Sequence, residues 1–391
     1  MKVLGWLALA TLCLMVACGA PGSPSPESGL GPGSQAATAA AIANAAASGP
    51  APTGQAIPSG RPPPPDASPS ARPITAASVV GRIVVVRSDG IDVIENGASR
   101  RVFTAGPGGS LKDPVFSPDG SQIAFAYAPP RQPVAANAPI VDQLLYSDIM
   151  GVGTDGSNQH VIVAHDVKGA VLETPAWAPD GKTLYFGYYA PQYTGQTLSG
   201  ETIEIRRIDL GTGATTSVVA NGNSPVPSPD GQTVLYVGED FAAGPSLRTV
   251  KPDGSGESEV LPPGDFAGIL APRFSPDGKT IAFAGAQIPR PTGPQPKAAS
   301  PLGALAGILA PPPAEAHGLP WEIWTVPTAG GPPKQLTIFA EDTPYPAWSA
   351  DGAKLLVYAA GGLYRIDAVT GDTEALSTDG AHGGMDWRSK P

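Results

Sequence analysis

The chain has 391 residues and carries 24 Lys and Arg against 34 Asp and Glu, which gives a formal net charge of −10 at pH 7. An acidic chain gains no electrostatic attraction to nucleic acids or anionic membrane surfaces, so we expect no nucleic-acid partner. Its two cysteines, Cys13 and Cys18, lie near the N-terminus, so the remainder has no disulfide framework and no thiolate metal site.

The N-terminal residues have the pattern of an export signal. Lys2 precedes an uncharged apolar run from Val3 to Ala17, which is too short to span a bilayer comfortably. The run ends at Cys18 and resembles a bacterial lipobox, in which the cysteine is diacylated and becomes the mature N-terminus. We predict a signal peptide over residues 1–17, lipidation of Cys18 and membrane anchoring on the extracytoplasmic side of the cell envelope. An ordinary secretory signal with a chance cysteine is the alternative.

Residues 19–77 contain no aromatic residue and only four charged ones, Glu27, Arg61, Asp66 and Arg72. Alanine, glycine, proline and serine dominate, and such a composition buries too little apolar surface to offset the entropy lost on ordering. We therefore predict that residues 18–77 form a disordered tether, followed by a folded domain over residues 78–391.

The folded region repeats one unit five times. The copies are Pro114–Gly120 (PVFSPDG), Pro175–Gly181 (PAWAPDG), Pro225–Gly231 (PVPSPDG), Pro272–Gly278 (PRFSPDG) and Pro346–Gly352 (PAWSADG). In this unit Pro presets φ, Asp bonds nearby backbone and Gly accepts a positive φ, so each copy predicts a tight turn between two strands. We assign this structural turn role to the repeat aspartates Asp119, Asp180, Asp230, Asp277 and Asp351.

An apolar run follows each turn, and third and fourth strands follow in most units, which is typical of four-stranded propeller blades. Segments 82–86, 91–95 and 100–104 supply a second, third and fourth strand without an inner strand. Residues 384–387 (GMDW) supply an inner strand with nothing after it. We predict that these fragments complete one blade and close an all-β, six-bladed β-propeller with a C-terminal clasp strand.

The unit Pro-x-[Trp/Phe]-Ser-Pro-Asp-Gly, followed by a strand such as residues 281–284 (IAFA), resembles the WD-like propeller repeat of the TolB family. The same repeat occurs in the propellers of prolyl-oligopeptidase-type enzymes. The resemblance covers residues 78–391, and it implies a propeller fold and, by analogy, a role in binding other envelope proteins. TolB-like proteins place a small α/β domain before the propeller, where this chain has the predicted tether.

The repeat is not accompanied by a recognisable catalytic or metal-binding motif. The Gly-x-Ser-x-Gly elbow that the hydrolase relatives need does not occur. The four histidines, His160, His165, His317 and His382, show no metal-ligand spacing, and we interpret them as surface or loop residues. We therefore expect a protein that is not an enzyme and holds no metal or cofactor.

The longest additions to the unit follow the second strand of a blade, at residues 129–143, 190–200, 239–245 and 287–320. In a propeller these connections emerge on one face, opposite the Pro-Asp-Gly turns, and insertions gathered on one face are typical of a binding surface. Neutral drift in tolerant loops is the alternative. The candidate partner-binding residues on this face are Tyr189, Gln192, Tyr193, Arg290 and His317.

These patterns favour a lipid-anchored, monomeric envelope protein that binds or scaffolds another envelope protein, peptidoglycan or a glycan. Two alternatives stay open. A carbohydrate-active or metal-dependent enzyme at the mouth of the propeller channel would be indicated by bound metal or by a cluster of carboxylates with strongly shifted pKa values. A small-ligand sensor or assembly accessory would be indicated by a deep closed pocket in the channel.

Overall fold

The computed structural model describes residues 79–135, 138–240, 242–288 and 320–389 of the chain. The predicted signal peptide, the lipidated Cys18 and the predicted tether lie outside the described residues, and so do Arg290 and His317. Within these ranges no helix combines the length and the apolar character needed to cross a membrane.

The described ranges contain 24 strands, which form six antiparallel sheets of four strands each, and we number these sheets as blades 1 to 6. Blade 1 begins with β1 (Arg82–Arg87), β2 (Gly90–Glu95) and β3 (Ala98–Thr104). Blade 2 contains β4 (Ser110–Phe116), β5 (Gln122–Ala128), β6 (Asp148–Gly153) and β7 (His160–Val163). Blade 3 contains β8 (Val171–Trp177), β9 (Thr183–Thr194), β10 (Thr197–Asp209) and β11 (Thr215–Ala220). One helical turn, α1 (Ile140–Gln143), lies between β5 and β6.

The second half of the ring repeats this arrangement. Blade 4 contains β12 (Gly222–Pro227), β13 (Val234–Asp240), β14 (Gly244–Val250) and β15 (Ser258–Leu261). Blade 5 contains β16 (Phe266–Phe274), β17 (Thr280–Gln287), β18 (Trp321–Pro327) and β19 (Lys334–Gln335). Blade 6 contains β20 (Tyr345–Trp348), β21 (Lys354–Ala359), β22 (Gly362–Asp367) and β23 (Thr373–Ser377). The last strand, β24 (Met385–Arg388), returns to blade 1.

The second strand of a blade is strongly apolar because it packs against neighbouring blades on both faces. In β5 the side chains of Ile123, Ala124 and Phe125 are fully buried, and in β21 so are those of residues 355–357. Side chains of one blade meet those of the next, as where the rings of Phe125 in blade 2 and Phe103 in blade 1 lie 4.8 Å apart between centroids. The apolar core therefore lies between the blades.

The first strand of each blade is its innermost strand. These inner strands contact one another in the ring order β24, β4, β8, β12, β16, β20 and again β24. Such an order returns to its starting strand, so the six blades surround one axis.

The C-terminal strand supplies the missing inner strand of blade 1. Strand β24 pairs antiparallel with β1, with Ile83 opposite Trp387 and Val85 opposite Met385. A sheet built from both ends of the folded region leaves the ring without an incomplete blade. The prediction of an all-β, six-bladed β-propeller with a C-terminal clasp strand is therefore confirmed.

Two of the four predicted insertions differ from the expectation. Residues 190–200 do not form a loop, because β9 and β10 run through them as one long hairpin with its turn at Gly195, where φ is 64°. Tyrosine and threonine suit extended backbone, which explains why this segment continues the sheet. Residues 239–245 are a short hairpin connection, since β13 ends at Asp240 and β14 begins at Gly244. Most of the segment 287–320 lies outside the described residues.

Ring closure predicts a large contribution of Met385 to stability. This side chain is 1% exposed, so Met385→Ala should lower the free energy of unfolding by about 2–5 kcal/mol. Trp387 is only partly buried, and Trp387→Ala should therefore destabilise less than truncation of a fully enclosed tryptophan. Urea denaturation measures both, with Val369→Ala, at a side chain that is 73% exposed, as the control. An unfolding midpoint that Met385→Ala leaves unchanged would contradict closure by β24.

Candidate functional site

The five repeat turns, four with Pro-Asp-Gly and one with Ala-Asp-Gly in blade 6, share one backbone geometry and lie on one face of the ring, which we call the turn face. Their glycines have φ between 68° and 71°, a region that a residue without Cβ enters easily; they are Gly120, Gly181, Gly231, Gly278 and Gly352. In four turns a serine two residues before the aspartate donates its hydroxyl to the carboxylate at 2.6 Å. In blade 3 Ala178 takes this place, and Asp180 accepts only the N–H of Lys182, at 2.8 Å.

These hydrogen bonds stabilise the ionised form of the turn carboxylates. At Asp119 the hydroxyl of Ser117, followed by the N–H and hydroxyl of Ser121, lowers the pKa to about 2. The serine hydroxyl is also the main cause that lowers the pKa of Asp230, Asp277 and Asp351. Each aspartate is bound within its own turn, so the five carboxylates do not converge on a shared site.

The opposite face carries the connections between second and third strands and those between blades, and we call it the insertion face. Two additions meet there: residues 129–147 of blade 2 and the tip of the β9–β10 hairpin of blade 3. The N–H of Ile140 in α1 donates to the side-chain oxygen of Gln196 at 3.1 Å. The two additions therefore contact each other on this face.

The hairpin tip is a two-stranded ribbon that extends beyond the other strands of blade 3, and we call residues 189–203 the ribbon. Strand β9 pairs with β8 only as far as Tyr189, and β10 pairs with β11 only from Glu204 onward. Residues 190–194 and 197–202 thus pair with each other alone. The structure brings the predicted contact residues Tyr189, Gln192 and Tyr193 together on this ribbon.

Alternation along β9 divides these residues between the two sides of the ribbon. Tyr189, Pro191 and Tyr193 lie on one side, and both tyrosines are half-buried. Burial, followed by the negative charge of Glu201, raises the pKa of Tyr189 to about 12. Gln192 lies on the other side and is exposed.

The two long edges of the ribbon differ in their hydrogen-bonding capacity. Pro191 is paired with Glu201, and since proline has no N–H, this must be a pair whose backbone groups point away from each other. Pro191 therefore leaves the β9 edge without a donor at this point, whereas Glu201 directs its N–H and C=O outward from the β10 edge. Two residues on, the outward C=O of Ile203 accepts the N–H of Asn221 at 2.8 Å, which agrees with this alternation.

The insertion face also carries exposed apolar side chains. Seven large hydrophobic residues are exposed in the described ranges, and four of them lie on connections of this face: Val134, Val167, Ile288 and Ile338. Ile338 is 92% exposed. Apolar side chains gathered on one face are more informative than the same side chains scattered over the surface.

Three of the four histidines lie in the described ranges and make local contacts. His165 stacks on Tyr146 with ring centroids 3.9 Å apart and hydrogen-bonds to Asp148 at 2.7 Å. His382 hydrogen-bonds to the hydroxyl of Thr343 at 2.9 Å. In the part of the chain that the structure describes, no group of three or more His, Cys, Asp and Glu side chains is arranged to hold a metal ion.

A third group of residues, which the sequence reasoning missed, lies at the propeller axis. The inner strands of blades 2 to 5 each carry a bulge at the residue before the repeat proline, with φ between 46° and 52°: Asp113, Thr174, Ser224 and Ala271. Charged and polar side chains from blades 2, 3, 5 and 6 are among the causes that shift the pKa values of Asp113 and Tyr345, and Asp342, on the connection before β20, is another. Such distant blades approach each other only at the axis. We call these side chains the axial cluster: Lys112, Asp113, Glu173, Arg273 and Tyr345.

Comparison with known proteins supports the fold. The sequence matches no family model and no curated protein. Among solved structures, TolB from Acinetobacter baumannii is similar with a TM-score of 0.53 at 16% identity, over 78% of this chain and 66% of that one. This chain therefore spans slightly less than two thirds of the length of that TolB. A nidogen/laminin complex structure gives a TM-score of 0.52 at 11% identity, over 79% of this chain and 99% of that one. At such identities the likeness shows the fold alone, which is that of a TolB-like propeller.

The turn carboxylates predict an acid-dependent loss of stability. Because the folded pKa of Asp119 lies below the ordinary value of 3.8, its contribution to the free energy of unfolding is complete above about pH 5 and disappears as the pH falls toward about 2. Asp119→Asn should therefore lower the Tm at neutral pH, and its difference from the wild type should shrink in acid. Asp180→Asn, in the turn without the serine, should lower the Tm less. Calorimetry across this pH range measures both, and a constant difference at every pH would contradict this account.

Proposed function

We propose that this chain is a protein-binding module of the cell envelope, and that its insertion face engages an extended segment of a partner protein. The observation that carries the proposal is the ribbon, residues 189–203, with two half-buried tyrosines on one side and an open β10 edge. The TolB-like fold supports the proposal, because a propeller of this kind offers a rigid ring on which surface insertions are held in place. The role requires no catalytic step, and we propose that the chain is not an enzyme.

The open edge favours a protein over peptidoglycan or another glycan as the partner. An extended peptide can add to a free strand edge through main-chain hydrogen bonds, and the side chains beside the edge then select its sequence. The N–H and C=O of Glu201 offer such bonds, whereas a sugar chain has no matching repeat of donors and acceptors. The chemistry of the edge also suggests a basic residue in the bound segment, opposite the carboxylate of Glu201.

The tyrosines add contact area next to that edge. Tyr189 and Tyr193 are four residues apart on the same strand, so their rings lie on the same side of the ribbon. Tyrosine combines a large apolar ring with a hydroxyl, and it is enriched in protein interfaces for that reason. The exposed Val167, on the connection from blade 2 to blade 3, adds apolar surface beside blade 3 on the same face.

We propose further that the protein acts as a monomer and is held at the membrane by the lipid on Cys18. The closed ring has no incomplete blade that would need a second subunit. Two or three acyl chains give stable anchoring where one does not. The tether of residues 18–77 would then let the propeller reach partners away from the bilayer.

The insertion face predicts where a partner crosslinks in cells. A photo-crosslinking amino acid placed at Tyr193 or Leu198 should give a discrete adduct that mass spectrometry identifies as an envelope protein. The same amino acid at Lys182 or Lys279, on the turn face, should give none and serves as the matched control. Adducts from the turn-face positions alone would show that the partner binds the other face.

A proline substitution tests main-chain pairing at the β10 edge. Glu201→Pro removes only an N–H that points outward, as Pro191 already does on β9, so the fold should persist. We expect this variant to lose the adduct, and Glu201→Ala, which keeps the N–H, to retain most of it. Tyr189→Ala with Tyr193→Ala should weaken capture by about tenfold or more, because truncated aromatic contacts typically cost over 1 kcal/mol of binding energy. Equal capture by the Pro and Ala variants would argue against strand addition.

Membrane anchoring is tested by removing the lipid acceptor. Cys18→Ser should move the protein from the detergent phase to the aqueous phase in a phase-separation assay of cell extracts. Cys13→Ser, inside the predicted signal peptide, is the control and should leave partitioning unchanged. Retention of the Cys18→Ser variant in the detergent phase would contradict a lipid anchor at this residue.

A further inference from the structure

Two arginines lie directly opposite each other where the two ends of the folded region meet. Arg82 is the first residue of β1 and Arg388 is the last of β24, and the antiparallel pairing places them side by side. We call them the seam arginines. Like charges at opposite positions of two paired strands repel each other, so this pair opposes the strand pairing that closes the ring.

Both guanidinium groups extend from blade 1 to the turn of blade 2. A Cβ at Gly120 would lie 2.9 Å from Nε of Arg388 and closer still to Nη2 of Arg82, so the two groups meet beside this glycine. The guanidinium of Arg82 also lies over the ring of Phe116, with 5.4 Å from its central carbon to the ring centroid. The two positive charges are therefore held together in the seam between blades 1 and 2, on the turn face.

Neutral groups hold Arg388 in place. Its Nη1 donates to the backbone carbonyl of Ser117 at 3.1 Å and to that of Pro118. Its Nε is enclosed and has no hydrogen-bond partner in the described ranges. Carbonyl oxygens orient a guanidinium group but do not neutralise it, so this positive charge is fixed in position without a counter-charge.

The other donors of the seam arginines are open. Nη2 of Arg388 and all three side-chain nitrogens of Arg82 donate to no group in the described ranges, and none of them is fully enclosed. Neither arginine forms an ion pair with an acidic side chain of these ranges. Five other arginines do so: Arg87, Arg101, Arg206, Arg248 and Arg365.

Three carboxylates lie near the seam arginines, and none of them pairs with either. Asp119 is bound within its own turn by a hydroxyl at 2.6 Å and an N–H at 3.0 Å. Asp386 accepts two backbone N–H groups, at 3.0 Å and 2.9 Å. Glu95 lies opposite Arg82 on β2 and is exposed. Its carboxylate is therefore the one that can compete with a ligand for Arg82.

We propose that the seam arginines bind a phosphate group, either inorganic phosphate or the phosphate monoester of a larger molecule. The bound group would contact one arginine from each end of the folded region and so stabilise the pairing of β24 with β1. The proposal does not rest on the partner-binding role of the insertion face.

The charge and the donor geometry of the pair select this class of ligand. A guanidinium group presents a planar fork of N–H donors that matches the oxygens of a phosphate or a carboxylate. Two such forks side by side carry two positive charges, which a phosphate dianion balances. A carboxylate brings one negative charge and leaves the second arginine unmatched, and a neutral sugar leaves both unmatched.

Calorimetric melting of the full-length protein at about pH 7.5, where phosphate is largely a dianion, tests the site. At constant ionic strength, replacing sodium chloride by about 20 mM phosphate should raise the Tm by about 2 °C or more, because a ligand that binds only the folded state stabilises it. Glycerol 3-phosphate at the same concentration distinguishes the two sources of the ligand. An equal gain indicates recognition of the phosphate group alone, and a larger gain indicates a monoester. No gain with either compound would overturn the proposal.

Variants locate the binding at the seam. Arg82→Gln and Arg388→Gln should each remove most of the phosphate-dependent gain in Tm and weaken phosphate binding in isothermal titration calorimetry by about tenfold. Arg82 donates no hydrogen bond in the described ranges, so its variant should fold even if the Arg388 variant does not. Glu95→Gln should increase the gain, because it removes the competing carboxylate. Lys279→Gln, on the turn face, is the control and should behave like the wild type. A wild-type gain in the Arg82→Gln variant would place the phosphate elsewhere and overturn the assignment.

Discussion

Closure of the ring by β24 is the constraint on which the rest of the structure depends. A propeller blade is stable only when both of its faces are covered by other blades, and blade 1 lacks an inner strand until the C-terminal residues supply it. The pairing of Val85 with Met385 and of Ile83 with Trp387 joins the two ends of the folded region in one sheet. Without that sheet blades 2 and 6 would each lose a neighbour, and the axis would lose its enclosure.

The two faces of the closed ring differ in how much their connections can vary. The turn face is built from five nearly identical turns, each bound internally by its own aspartate, so it leaves little freedom for change. The insertion face carries the connections whose length is not fixed by the blade geometry. Residues 129–147 and the ribbon both use that freedom, and they contact each other through Ile140 and Gln196. The axial cluster lies between these faces and draws its residues from blades 2, 3, 5 and 6.

The sequence was sufficient for the fold because each blade is a local unit with its own turn signal. The five repeat copies, four with Pro-Asp-Gly and one with Ala-Asp-Gly, indicate the inner and second strands, and the GMDW segment at residues 384–387 indicates the clasp. The ribbon is not evident from the sequence because residues 190–200 are an addition to the repeat unit, which predicts nothing about their backbone. Proline is tolerated at position 191 because it lies at a strand edge. The axial cluster was missed because Asp113 and Tyr345 are brought together only by ring closure. The one sequence feature that could have indicated the cluster is the residue directly before each repeat proline, the position that Asp113 and Tyr345 occupy.

Residue-resolved hydrogen exchange of the complex with the crosslinked partner tests the central claim most directly. In the free protein the amide of Glu201 should exchange rapidly, because it points outward from the β10 edge, while that of Thr202 should be protected by its pairing with Ala190. If a partner segment adds to this edge, the Glu201 amide should become protected in the complex and the turn-face amides should not change. Rapid exchange at Glu201 in the complex, together with new protection around the Asp277 turn, would contradict the assignment of the insertion face.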